Sequence, residues 1–165
     1  MTPPLRHSYH HSPVGPLLMA GDERALHYLS FPGGSRAMSP ADDWPRDDGF
    51  FGEVRRQLDA YFAGELTAFT VTQQHTGTAF QQQVWTALQA IPYGETLTYG
   101  ELARRIGKPT ASRAVGAANG ANPLPIMTPC HRVIGADNSL TGFGGGLETK
   151  RFLLALEQRD LLSNL

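Results

Sequence analysis

Cysteine is nearly absent: the 165 residues hold one, Cys130. A lone thiol cannot close an internal disulfide, which points to a reducing, cytoplasmic setting. Long apolar runs are lacking too, and none reaches the length of a bilayer span, so no membrane partner is expected. The opening stretch MTPPLRHSYHHSPVGPL has no apolar core of the signal-peptide kind. Neither sign of charge is in excess, with 14 Lys and Arg against 15 Asp and Glu. There are six histidines, but HSYHH sits at a terminus with no cysteine nearby, so no metal site is expected. A phosphate-cradling loop is missing as well. GFGGG at 142–146 lacks the Lys and Ser/Thr such a loop needs, and reads instead as a turn requiring positive φ or close backbone approach. No repeat and no low-complexity tract is present. What is left is an ordinary globular composition, 41% hydrophobic and 18% charged.

The chain divides by pattern near residue 74, giving an expected N-terminal domain over 1–74 and a C-terminal domain over 75–165. Residues 1–73 carry 6 basic and 9 acidic side chains, residues 74–165 carry 8 and 6. A weakly basic second half could face a polyanion, though scattered surface charge explains so small a difference equally well. The first domain reads as strands around LLMA and ALHYLSF, punctuated by SPVGP and GDER, in a small antiparallel sheet. A long surface loop, FPGGSRAMSPADDWPRDDG, follows. Phe51, Val54, Leu58, Tyr61 and Phe62 then have helical spacing, closed by Gly64. LTAFTVTQQ reads as a short alternating strand. The second domain is helical. Thr78 and Gln81 fit a capping box before Phe80, Val84, Trp85, Leu88 and Ile91, and Thr98 and Glu101 fit another before a short helix holding Leu102 and Ile106. SRAVGAANG makes a helix of small residues, and the pair resembles a helix-turn-helix. LETKRFLLALEQ closes the chain, with Phe152, Leu153 and Leu156 expected on its buried face.

Chemistry concentrates in NPLPIMTPCHRVIG, residues 122–135. A free cysteine is as often a small buried hydrophobe as a nucleophile. Here His131 or Arg132 could shift the thiol, and Pro123, Pro125 and Pro129 would hold the incoming chain rigid and extended, which suits aiming a nucleophile. A base works best when a third group orients it, and Glu157 is the candidate, against the commoner solvated helix-end charge. The low face of SRAVGAANG fits either tight helix packing or close approach to a nucleic-acid backbone, with Arg113 as its one long side chain. It lacks the several polar side chains of a base-reading helix, so binding would be shape-based.

PCHRVIG, FQQQVWTALQAIPYGET, TYGELARRIG, SRAVGAANGANP and TGFGGG together resemble the O6-alkylguanine-DNA alkyltransferases, almost unbroken from about Phe80 to Glu157. SPVGPLLMAGDERALHYL resembles that family's first domain more loosely. The resemblance implies a mixed α/β (α+β) chain. Its first part would be a small sheet-plus-helix domain of ribonuclease-H-like kind, its second mainly helical with a winged-helix-like helix-turn-helix. It further implies direct-reversal DNA repair, in which an alkyl group moves from O6-alkylguanine, and from O4-alkylthymine, to Cys130. Each molecule would act once, without a cofactor, on a nucleotide flipped from the minor groove of double-stranded DNA. The protein would be a monomer, with cooperative binding along DNA left open.

By the same resemblance His131 is the base, through a water, and Glu157 its orienting partner. Asn122 holds the turn between recognition helix and active site. Arg113 enters the base stack, with Ser112, Ala114 and Gly116 of its helix on the DNA. Tyr99 crowds the neighbouring phosphate and donates a proton to the purine ring. The carbonyls of Cys130 and Val133 take the guanine amine, and Pro125 lines the alkyl pocket. Phe143 stands where members often carry Tyr, and Gly144, whose N–H would meet the guanine oxygen, stands where some carry Ser. A smaller residue there would leave room for larger alkyl groups. Zinc-binding cysteines known in some first domains are missing, with Asp22 at the matching place, so zinc is not expected. Three rival readings share some of these features: a non-catalytic lesion binder, a plain helix-turn-helix regulator and a cysteine hydrolase. Cys130 itself speaks against the first, the poor base-reading surface against the second, and turnover would separate the third.

Overall fold

The computed structural model describes residues 4–137, 140 and 143–163. The chain begins with three antiparallel strands in sequential order, β1 Arg6–Ser12, β2 Gly15–Gly21 and β3 Leu26–Ser30. HSYHH is therefore a paired strand. Its His10 Nε2 donates to Asp59 Oδ1 at 2.8 Å and its His7 Nδ1 donates to the Trp44 carbonyl at 2.8 Å. The central strand β2 is apolar without alternation because both its faces are covered: Leu17, Leu18, Met19 and Ala20 are all buried. Ala20 pairs with Tyr28, so the two share a face, and Tyr28 stacks on Trp44 of the long loop at 5.7 Å. Asp22, which stands at the place matched to a zinc-binding cysteine of some family members, caps the β2–β3 turn by accepting from the backbone of Arg24 and Ala25.

Helix α1, Gly52–Phe62, buries Val54, Leu58 and Tyr61. Past its end Gly64 adopts φ 77°, which L side chains resist. Its N–H reaches Tyr61 O and that of Glu65 reaches Ala60 O, closing a Schellman motif. The strand expected over LTAFTVTQQ does not form. One bridge joins Gln73 to Leu26, and Thr70 is held by Gln57 of α1 through two hydrogen bonds. Those side-chain bonds take the segment away from the sheet edge before a ladder can extend.

In the helical part, α2 Ala79–Gln89 and α3 Tyr99–Arg105 start at the expected capping boxes, and α4 Ser112–Gly120 follows α3. Trp85 Nε1 donates to Ala118 O at 2.9 Å, locking α2 on α4. Between α2 and α3 runs β4, Leu97–Thr98, parallel to β5, Val133–Ile134. The last helix, α5 Leu147–Ser163, buries Lys150, Leu153, Leu156 and Glu157. Phe152, expected inside, is 39% exposed and leans on Phe62 instead. The two charged residues, spaced seven apart in line with Leu153, take the inward stripe, and position 152 falls outside it. One continuous core joins Leu17 and Met19 of the sheet to Leu88, Leu102, Val115 and Leu153 of the helices. No helix among the described residues is long and apolar enough to cross a membrane.

Candidate active site

Cys130 opens a short 3-10 helix, Cys130–Arg132, that runs directly into β5. The chain leading to it is not extended. Residues 123–128 turn back on themselves, Thr128 N bonds to Leu124 O, and Ile126 takes a left-handed φ of 75°. The prolines limit the chain, but the shape is set by side chains. Asn122 Oδ1 accepts from Leu124 N at 3.0 Å while its Nδ2 donates to Thr128 O at 2.8 Å, tying the two ends of this turn to one side chain. Behind the turn, the Thr128 hydroxyl donates to Gln73 Oε1 at 2.7 Å and accepts from Gln89 Nε2 at 2.7 Å and His75 Nε2 at 2.8 Å. The loop of Cys130 is thereby pinned from α2 and from the segment that precedes α2.

The thiol is 4% exposed. Burial pushes its pKa up to about 11, against the pull of a hydrogen bond from Asn122 and the charge of Lys150. Asn122 and Lys150, and not the neighbouring His131 and Arg132, are therefore the groups that favour the thiolate. His131 Nε2 donates to Glu157 Oε2 at 2.6 Å, with both side chains buried. That bond leaves imidazole Nδ1 as the acceptor, and among the described residues Nδ1 has no hydrogen-bond partner. Burial lowers the His131 pKa, opposed by Glu157. Burial alone would raise Glu157, yet the hydrogen bonds and charges of His131 and Arg132 hold it at about 2. Arg132 grips the carboxylate with Nε to Oε1 at 2.8 Å and Nη2 to Oε2 at 3.1 Å, and spends Nη1 on Ile91 O. Tyr61 of α1 donates its hydroxyl to Oε2 at 2.6 Å.

The sequence-derived residues fall into two groups. Cys130, Asn122, Pro125, Phe143 and Gly144 line one pocket of about 50 Å³, together with Arg36 and Asn119. Arg113 and Ala114 are exposed on α4, with Ser112 and Gly116 half-buried beside them. Tyr99, the first residue of α3, bridges the groups: its ring lies against Gly116, where an added Cβ would sit 3.7 Å away, and Lys150 Nζ approaches its other side at 5.9 Å from the ring centre. The carbonyls of Cys130 and Val133 both carry partners already. Asn119 Nδ2 donates to the first at 3.3 Å and Lys150 Nζ to the second at 2.6 Å. A carbonyl oxygen has two lone pairs, so each retains one.

Gly144 does not open the pocket. An added Cβ would lie 2.4 Å from Arg36 Cγ, so the space of the missing side chain is filled from the loop after β3, and Arg36 N donates to Gly144 O at 3.0 Å. Phe143 packs on Phe31 at 5.6 Å. Thr141 and Gly142 of the TGFGGG motif lie outside the described residues. Among the described residues no group of three or more His, Cys, Asp or Glu is placed to hold a metal ion.

Sequence reasoning misses Lys150, Tyr61, Asn119 and Arg36, and it assigns Arg132 to the thiol, whereas the structure gives it to Glu157. A signal exists for Lys150, a charge three residues before Leu153 and so on the inward stripe of the last helix. Tyr61 and Arg36 gave none, because their partners lie far off along the chain.

The sequence and the fold have counterparts among known proteins. Residues 79–159 match the 6-O-methylguanine DNA methyltransferase DNA binding domain, and residues 5–73 match the ribonuclease-like domain of the same proteins. This chain belongs to the 6-O-methylguanine DNA methyltransferase family. It is 56% identical over 146 residues to a methylated-DNA–protein-cysteine methyltransferase of Methanosarcina acetivorans, covering 88% of this chain and 94% of that one. The protein of that name from Mycobacterium tuberculosis is 54% identical over 148 residues, covering 89% and 88%. The crystal structure of Mycobacterium tuberculosis OGT in complex with DNA superposes with a TM-score of 0.88 at 50% identity over 94% of both chains.

Proposed function

We propose that this protein repairs DNA directly, by moving an alkyl group from O6-alkylguanine to Cys130, once per molecule. The observation that carries the reading is the buried Cys130–His131–Glu157 set. The chain's single thiol directly precedes in sequence an imidazole whose Nε2 is given to an ionised carboxylate at 2.6 Å, leaving Nδ1 to accept a proton. In the reaction Sγ attacks the alkyl carbon in line, the S–C bond forms as the C–O6 bond breaks, and the thiol proton leaves through a water to His131 Nδ1. Guanine departs as a neutral base once Tyr99 supplies a proton to its ring, and that proton is made good from His131. A thioether does not hydrolyse, so nothing resets the protein and no cofactor is consumed.

The same reading places duplex DNA on the face of Arg113, Ala114, Ser112 and Gly116. The minor groove lies on this shallow surface, Arg113 fills the gap of the extruded nucleotide, and Tyr99 stands between helix and pocket. Pro125 and Phe143 border the alkyl group. The guanine amine takes the remaining lone pairs of the Cys130 and Val133 carbonyls, and the Gly144 N–H meets its oxygen. O4-alkylthymine is the second substrate. The protein works in the cytoplasm as a monomer, with division of labour between residues 1–74 and 75–165.

Intact mass and peptide mapping after incubation with a duplex holding one O6-methylguanine test this. A gain of one methylene on the Cys130 peptide, saturating at one per chain, is expected. Tight binding without any gain would leave a lesion-recognition protein and remove Cys130 from the chemistry.

A further inference from the structure

The buried carboxylate Glu157 is shared between the two halves of the chain. Its Oε2 accepts from His131 Nε2 at 2.6 Å, from Arg132 Nη2 at 3.1 Å and from the Tyr61 hydroxyl at 2.6 Å. Tyr61 belongs to α1, 96 residues away in sequence, and its side chain is fully buried. The ring has no freedom to release that bond. It sits against Phe62, Phe69 and Tyr93, with ring centres 5.3, 5.4 and 6.3 Å away. A buried tyrosine hydroxyl must find some acceptor, and a backbone carbonyl would serve for packing alone. This one goes to the same oxygen that holds the imidazole.

We propose that Tyr61 is a positioning residue for the transfer reaction, by which the N-terminal half tunes the hydrogen bond between Glu157 and His131. The inference rests on the function proposed above. Each donor added to Oε2 weakens its hold on the others, since one oxygen's charge is divided among them. With Tyr61 in place, Oε2 pulls less on the Nε2 proton, the imidazolium is less favoured, and the neutral ring with a basic Nδ1 persists to lower pH. The same bond fixes the carboxylate plane, and so the ring's direction. The other titratable or charged groups around this centre are Arg132 on the carboxylate, Tyr93 against the Arg132 guanidinium, and Lys150, whose charge acts on both His131 and Cys130. Tyr61→Phe leaves each of these side chains in place and removes only the hydroxyl, so Arg132, which shares Oε2, gains along with His131.

The test is Tyr61→Phe in the full chain, with the methyl-transfer rate from an O6-methylguanine duplex followed from about pH 5 to 9. The acid limb of the profile is expected to move up by about one pH unit, with transfer at neutral pH slowed about threefold to tenfold. In NMR the Nε2 proton of His131 is expected to shift downfield, because Oε2 has lost a competing donor. Leu58→Ala is the packing control. Leu58 is fully buried one turn earlier on α1, and its loss lowers the melting temperature while leaving the acid limb in place. Fluorinated tyrosine introduced at position 61 alone preserves the shape and strengthens the donor, and it moves the limb the opposite way, so a poorly folding Phe variant does not decide the matter. An unmoved limb and an unmoved Nε2 proton in the Phe or fluorinated variant, or an equal limb shift in Leu58→Ala, would overturn the role of Tyr61. Absence of methyl transfer in the unsubstituted protein would instead overturn the proposed function, and the NMR comparison would still read the hydrogen bond.

Discussion

Lys150 Nζ donates to the Val133 carbonyl at 2.6 Å from a side chain with no exposed surface, on the same wall of the site as the thiol it acts on. Burial lowers its pKa to about 8, with Cys130 pulling the other way, so near neutral pH the ammonium is mostly charged and favours the thiolate. Lys150→Met removes the charge and keeps much of the stem. Transfer should slow by about tenfold, the equivalent of one pKa unit at the thiol. Duplex affinity should hold, because a buried ammonium cannot meet a phosphate. Single-turnover rates together with a binding isotherm check both, and an undiminished rate would remove Lys150 from the reaction.

Cys130 should resist ordinary thiol reagents. Its pKa of about 11 stands against 9.0 for an unperturbed thiol, and only the thiolate alkylates readily. Near pH 8 the native thiolate fraction is about 100-fold below that of the unfolded chain. Iodoacetamide labelling in buffer and in urea measures the ratio. Equal rates would mean an accessible thiol whose pKa the fold leaves near its ordinary value.

The helices were legible from sequence because each carried local instructions. Thr78 with Gln81 and Thr98 with Glu101 wrote two helix starts, and Gly64 wrote an end. Cys130, His131, Glu157 and Asn122 were found through a motif, and the structure brings His131 to Glu157 and Asn122 to the loop of Cys130. What stayed hidden depends on distance along the chain. LTAFTVTQQ has strand alternation, but Gln57 claims Thr70 and the ladder stops at one bridge. Phe152 loses the inner stripe of α5 to Lys150 and Glu157, which only a polar site on the other side of the core makes tolerable.

Gly144→Ser should destabilise the protein, contrary to the simple idea that the site tolerates either residue. The new Cβ would meet Arg36 Cγ and Cβ at 2.4 and 2.8 Å, near the root of that side chain where little rotation is available. Overpacking of this kind costs about 1–3 kcal/mol. Arg36→Ala in the same chain should recover most of it. Urea midpoints of the two single variants and the double variant measure the coupling, and additive losses would show that the two side chains do not compete for the space.

Arg113→Ala separates DNA handling from chemistry. The side chain is exposed on α4, away from the pocket of Cys130. Unstacking a base costs a few kcal/mol, so losing the residue that fills the gap should slow transfer from duplex about 100-fold. Transfer from a free O6-benzylguanine base needs no flipping and should proceed at the unsubstituted rate. Equal losses on both substrates would place Arg113 in the chemistry or in folding.

Glu157 should make the fold acid-sensitive in a defined window. Its folded pKa of about 2 lies below the ordinary 4.5, so the stability it contributes is complete above about pH 4.5 and is lost as pH falls toward 2. Over that span the loss is about 3 kcal/mol. His131 adds to the same trend from higher pH. Its folded pKa is lowered from 6.5, so the unfolded chain takes up that proton first as acid is added. Glu157→Gln removes one contribution and keeps the other. At neutral pH it leaves Arg132 without its counter-charge and should cost about 3–5 kcal/mol. Below about pH 4.5 its stability should decline less steeply than that of the unsubstituted protein, while the slope nearer pH 6 remains. Urea unfolding across this range tests the assignment: parallel curves for the two proteins would mean that Glu157 already carries a proton in the fold, and then it could not hold His131 as an ionised partner.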